Sequence, residues 1–180
     1  MSTILQYDEI VNNCREIFIK KAQDYGTSWR IMRMISIVDQ IFIKAQRIRT
    51  IQELHEQKIA DDIAAEFKGI VNYAVIALIQ IDKATYIAEE LSIDESAKLY
   101  DEKIVLAKTL MQNKNHDYGE AWREMSQQSF TDLILVKLLR IKQILANEGK
   151  TLISEGIDAN FTDIINYSIF ALILIDEGKH

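Results

Sequence analysis

The chain has 180 residues, of which 48% are hydrophobic and 27% charged, and a formal net charge of −6. That length suits one compact domain or two small fused units, and it is enough to bury a sizeable core. The acidic balance argues against non-specific binding to nucleic acid or to a membrane surface, which needs a basic face, while a small anion can still find a local basic pocket.

The absence of proline and the scatter of only six glycines favour long helices. A first helix is predicted from Thr3 to Gln23, with Thr3 and Gln6 spaced as a capping box. Val11, Cys14, Ile17 and Phe18 recur as one apolar stripe. Cys14, the single cysteine, cannot form an internal disulfide and reads as core. Asp24-Tyr25-Gly26 then stops the helix, because glycine can take the positive φ of a helix end and aspartate suits the turn. A short turn carries Trp29. A second helix starts near Ser36 and passes through Lys44 and Arg47, and a polar stretch, Arg49–Glu66, leads to a third helix, Phe67–Asp82. A connector, Lys83–Ala97, joins this unit to a second one of the same plan, in which Asn147-Glu148-Gly149 is another helix stop. The apolar runs Ile70–Ile81 and Ile164–Ile175 are about twelve residues each, too short to span a bilayer as helices. The N-terminus has no basic segment followed by an apolar run, so no signal peptide is expected and the cytoplasm is the simplest location.

The two units are copies. With a shift of 93, Tyr7–Ile48 shares 16 of 42 positions with the second half, including Lys21 with Lys114, Asp24-Tyr25-Gly26 with Asp117-Tyr118-Gly119, and Trp29-Arg30 with Trp122-Arg123. With a shift of 94, Phe67–Asp82 shares 9 of 16 positions with Phe161–Asp176. The chain is an internal duplication. The expected architecture is all-α: a helical bundle of two duplicated three-helix units related by a pseudo-two-fold axis, residues 1–86 and 94–180, forming one compact domain. The third helices are apolar nearly all round, so they belong at the centre, packed against each other.

Polar residues repeated on apolar faces are the candidates for function. Lys137 lies within the apolar arc of Phe130, Ile134, Ile141 and Ile144, with Arg140 at its border; Lys44 and Arg47 sit the same way among Ile37, Ile41 and Ile48. A lysine there either pairs with an acid on a neighbouring helix, snorkels outward, or meets a phosphate, for which a lysine and an arginine fork are a suitable pair. Asn72 and Asn166 lie in the most apolar helices, where each must hydrogen-bond a neighbouring helix or a ligand. Trp29, Trp122, Tyr25 and Tyr118 beside the glycine turns are packing anchors or base-stacking surfaces. Glu155, Asp158 and Asp163 precede Asn166 and either hold Mg²⁺ against phosphates or are solvated helix-terminal charge. The first half has Asp61, Ala64 and Gly69 at those positions, so metal-dependent work is expected of the second half. The three histidines form no zinc-ligand pair, and there is no glycine-rich phosphate loop or G-x-S-x-G motif.

The segments "KNHDYGEAWRE", "KLLRIKQI" and "DIINYSIFALI" resemble the bacterial and phage nucleotide modification associated domain, a domain of unknown function. In that family K-x-x-DYG-x-x-[WF]-R precedes a K-x-x-R helix, and an acidic stretch runs into D-x-x-N-Y-x-x-x-A-L. The resemblance covers Lys114–Leu172 well and Lys21–Leu78 less well. It implies an all-α unit linked to nucleotide or base modification. A more distant similarity to the MazG-type NTP pyrophosphohydrolases implies Mg²⁺ held by paired acids, although Asp132 is the only acid between Phe130 and Ile144. The reading expected is a nucleotide-binding or nucleotide-processing module. Lys137, Arg140, Lys44 and Arg47 would hold phosphate, Trp122 or Tyr118 the base, Asn166 a further ligand group, and Glu155, Asp158 and Asp163 the Mg²⁺. No catalytic residue is assigned. The alternative is a non-catalytic helical scaffold or interaction protein. A nucleotide or other small phosphate is the expected partner, with a homo-oligomer also open.

Overall fold

The computed structural model describes residues 1–56, 62–83 and 90–179, and these form six α-helices and two short 3-10 turns, with no strand among the described residues. In the first unit they are α1 (Thr3–Tyr25), α2 (Met34–Leu54) and α3 (Ile63–Asp82); in the second, α4 (Ile93–Tyr118), α5 (Gln127–Ala146) and α6 (Ile157–Asp176). The 3-10 turns Ser28–Ile31 and Ala121–Glu124 follow α1 and α4 and carry the two tryptophans. The all-helical duplicated architecture is as the sequence predicts. Part of the connector (84–89), the boundary at 86, Asp61 and His180 lie outside the described residues.

Helix ends differ from expectation where side chains do local work. Ser2, not Thr3, caps α1 by accepting from the Leu5 N–H at 3.4 Å. Thr3 and Gln6 are turned toward the second unit: the Thr3 hydroxyl donates to Glu120 and the Gln6 amide donates to Glu177 at 2.7 Å. The polar stretch expected from Arg49 is helical to Leu54, where His55 closes α2 in the left-handed region at φ 52°. Asp62 caps α3, which begins at Ile63, four residues before the predicted start, and accepts from Ala65 N–H at 2.7 Å. Gly26 and Gly119 end α1 and α4 with φ of 69° and 61°, as the Asp-Tyr-Gly motif requires.

α3 and α6 make the largest interface in the molecule and are buried along most of their length. At 20 residues each they are long and apolar enough to cross a membrane by length and composition, which corrects the reading from the shorter apolar runs; most of each is buried against the rest of the bundle. Cys14 is fully buried, and that burial pushes its thiol up to about 12, so it stays protonated.

Reciprocal contacts express the pseudo-two-fold axis. The buried Tyr7 hydroxyl donates to Asn166 Oδ1 and the Tyr100 hydroxyl to Asn72 Oδ1, both at 2.8 Å. Each asparagine then donates within its own unit, Asn166 to the Ala107 carbonyl and Asn72 to the Cys14 carbonyl, both at 3.0 Å. On the surface, Arg15–Asp101 mirrors Lys108–Asp8, and Arg49–Asp132 mirrors Lys142–Asp39. Every one of these side-chain pairs crosses between the units, so the molecule is tied together like a fused homodimer.

Candidate functional site

Each unit builds the same corner from four pieces: the last turn of its first helix, the tryptophan turn, the middle of its second helix and the first half of its third. The second unit fills that corner with its own charges. Asp163, on the inward face of α6, accepts from Lys137 of α5 at 2.7 Å and from Lys114 of α4 at 2.9 Å. The two lysines thus occupy both carboxylate oxygens. Burial pulls the Lys114 amine down, but the hydrogen bond and the charge of Asp163 outweigh it and leave its pKa raised. Burial, followed by the Asp163 charge, raises the neighbouring Tyr167.

In the first unit the residue at the Asp163 position is Gly69, and the acid comes from Glu66 one turn earlier on the same face. Glu66 meets Arg47 at 3.0 Å and Lys44 at 3.4 Å. The Lys44 stem runs across Gly69: a Cβ there would lie 3.0 Å from Lys44 Cε and 3.3 Å from its Nζ. Lys21, the counterpart of Lys114, makes no ion pair with the described residues, nor does Lys68. The result is a cavity of about 630 Å³ between α1, the Trp29 turn, α2 and α3. Its charged lining is Lys21, Lys44 and Lys68 against Asp62 and Glu66, and Tyr25, Trp29 and Tyr73 supply aromatic surface. Burial, followed by the charge of Tyr73, raises the Tyr25 phenol, which therefore stays neutral at physiological pH.

The other predicted residues divide clearly. Trp122 stacks on Phe170 with ring centroids 4.2 Å apart and planes at 5°, while the Arg123 guanidinium lies 4.5 Å over the ring. Its Nε1–H donates to Asn115 at 3.2 Å. Both faces are covered, so the ring anchors the turn and leaves no surface for a base. Tyr118 is exposed and borders none of the main cavities. The Asn166 carboxamide is taken by Tyr7 and Ala107. Arg140 is exposed, without an ion pair among the described residues, and lines a more open groove with Lys137, Glu155 and Asn160. Glu155 and Asp158 are exposed and do not join Asp163. Among the described residues no three His, Cys, Asp or Glu side chains gather as a metal site. Both Asp163 oxygens are held by lysines, so among the described residues the three acids do not gather as one set.

Sequence comparison of the halves by position missed Glu66, because its carboxylate has moved one helical turn while keeping its face. It also passed over the vacancy beside Lys21. The signal was present: Lys21 repeats Lys114, yet Gly69 removes the partner that Lys114 holds.

Fold and site together define a tandem-repeat helical bundle with one closed and one open polar corner. The family model described as nucleotide modification associated domain 1 matches residues 21–81 and 114–175, once per repeat, and the chain belongs to that family. Neither curated proteins nor solved structures give a match.

Proposed function

We propose that the protein is a nucleotide-binding module in which the first repeat holds a small nucleoside phosphate. The observation that carries this reading is the cavity of about 630 Å³ in which Lys21, without an ion pair among the described residues, stands beside Lys44, Lys68 and three aromatic side chains. That volume falls within the range of about 300–1,000 Å³ typical of small-molecule sites. Lysines supply point charges for phosphate, and the Tyr25 and Tyr73 rings supply surface for a base. Family membership, through its association with nucleotide modification, points the same way. The second repeat serves as scaffold in this reading, since its Asp163 carboxylate already engages both Lys137 and Lys114. Binding is proposed rather than pyrophosphate hydrolysis, because the cavity supports binding directly, while Glu155, Asp158 and Asp163 do not gather as one set among the described residues.

The test is a thermal-shift panel of nucleoside mono-, di- and triphosphates, with and without Mg²⁺. A ligand at about 100 times its Kd adds about 2.7 kcal/mol. At least one nucleotide is expected to raise the melting temperature, and changing Lys21 to Met should abolish the rise. No shift with any nucleotide would refute the proposal and favour the scaffold.

A further inference from the structure

Resting on the reading of the first-repeat cavity as a nucleotide site, we infer that its anion subsite lies beside Gly69, between Lys21 and Lys44, and accepts a single terminal phosphate. The second repeat carries a built-in occupant of the equivalent place, the Asp163 carboxylate.

The inference comes from comparing the two corners as one site in two states. In the second repeat, lysines from the first and second helices of the unit grip one oxyanion, at 2.9 and 2.7 Å. In the first repeat the same two lysines are kept, as Lys21 and Lys44, and the oxyanion is deleted by Gly69. Glu66 compensates only in part. It reaches Lys44 at 3.4 Å and Arg47 at 3.0 Å, and leaves Lys21 without an ion pair among the described residues. Glu66 holds Arg47 more closely than Lys44, so Lys44 is the less firmly paired of the two. Gly69 leaves its face of α3 to the Lys44 stem, which crosses it, so the Lys44 amine stands there with no fixed carboxylate at this position.

The same lining sets the charge of the ligand. Asp62 and Glu66 border the cavity, so each further phosphate of a di- or triphosphate would bring added negative charge toward two carboxylates. One phosphate bound to a base-sized group suits three lysines, two carboxylates and three aromatic rings. A nucleoside monophosphate is therefore favoured over the di- and triphosphate.

Isothermal titration with inorganic phosphate, and separately with adenosine 5′-monophosphate and 5′-triphosphate, tests this on the full chain. The wild type should bind one phosphate per chain. Gly69→Asp should place a carboxylate between the two lysines, as in the second repeat, and weaken phosphate binding by roughly tenfold or more, the loss expected when a charge-assisted hydrogen bond is removed. Asp163→Gly should open the second corner and raise the stoichiometry to two. Circular dichroism establishes that each variant is folded. Should Gly69→Asp fail to fold, Lys21→Met, at an exposed position without an ion pair, carries the same expectation of weakened binding. Phosphate binding by Gly69→Asp or Lys21→Met as tight as that of the wild type, tighter binding of the triphosphate, or no saturable phosphate binding by the wild type would overturn the inference. Phosphate binding that responds to Gly69→Asp without any nucleotide binding would instead overturn the nucleotide reading and leave the anion subsite standing.

Discussion

Asp163→Asn keeps the side-chain shape and removes the charge that closes the second corner. The Asp163 side chain is 8% exposed and that of Lys137 13%, at 2.7 Å, whereas Lys114 is 48% exposed and can rehydrate. Removing one partner of a buried ion pair costs about 3–5 kcal/mol, because the other charge is left without compensation. Lys137 borders an open groove, which places the expected cost near the lower end, about 3 kcal/mol. For a chain of this size that corresponds to a fall of about 6–12 °C in Tm. Urea unfolding followed by circular dichroism measures it. Asp158→Asn, an exposed acid on the same helix, should stay within about 0.5 kcal/mol. Glu66→Gln should cost less than Asp163→Asn, since its partners Lys44 and Arg47 are 26% and 22% exposed. A loss below about 1 kcal/mol for Asp163→Asn would show that the carboxylate is not an internal counter-ion to Lys137.

Tyr7→Phe and Tyr100→Phe each leave a buried asparagine oxygen without its donor, so each should cost about 1–3 kcal/mol, and pseudo-symmetry requires similar values by denaturant unfolding. Gly26 has φ 69° and ψ −153°, a conformation almost confined to glycine, while Gly119 sits in the left-handed helical region at φ 61° and ψ 35°. Gly26→Ala should therefore cost about 2–3 kcal/mol and Gly119→Ala about 1 kcal/mol; equal losses would contradict the backbone argument. Glu177 accepts from Gln6, and also pairs with Lys179 and Arg123, which holds its carboxyl down to about 2 from the ordinary 4.5. Its folded pKa lies below its unfolded one, so its contribution is complete above about pH 4.5 and is lost as pH falls toward about 2. Urea midpoints between about pH 5 and about pH 2 should fall less steeply in Glu177→Gln than in the wild type.

Much of the fold was legible because the chain states it twice. Ile70 and Ile164 sit in helices apolar on every side, which fixes those helices at the centre, and the repeated Asp-Tyr-Gly fixes two helix ends. Helix starts were less legible: Asp62 and Ser2 act through single hydrogen bonds that a hydrophobic pattern does not register. The partner of Asn166 was hidden because Tyr7 lies 159 residues away in sequence and in the other repeat. Trp122 advertised an aromatic surface, but Phe170 and Arg123, brought over it by the fold, cover both faces. The proposed site lies in the first repeat, whereas comparing acids position by position directs attention to the second. A helix presents faces, and residues three apart share one, so Glu66 could replace the carboxylate missing at Gly69 while opening a cavity beside Lys21.

The most direct test of the account is a crystal structure of the protein soaked in a nucleoside monophosphate. The account predicts phosphate density beside Gly69 within reach of Lys21 and Lys44, and an unaltered Lys114–Asp163–Lys137 cluster with no ligand in the second repeat. Phosphate between Lys114 and Lys137 with Asp163 displaced, or ligand in neither corner at saturating concentration, would contradict it.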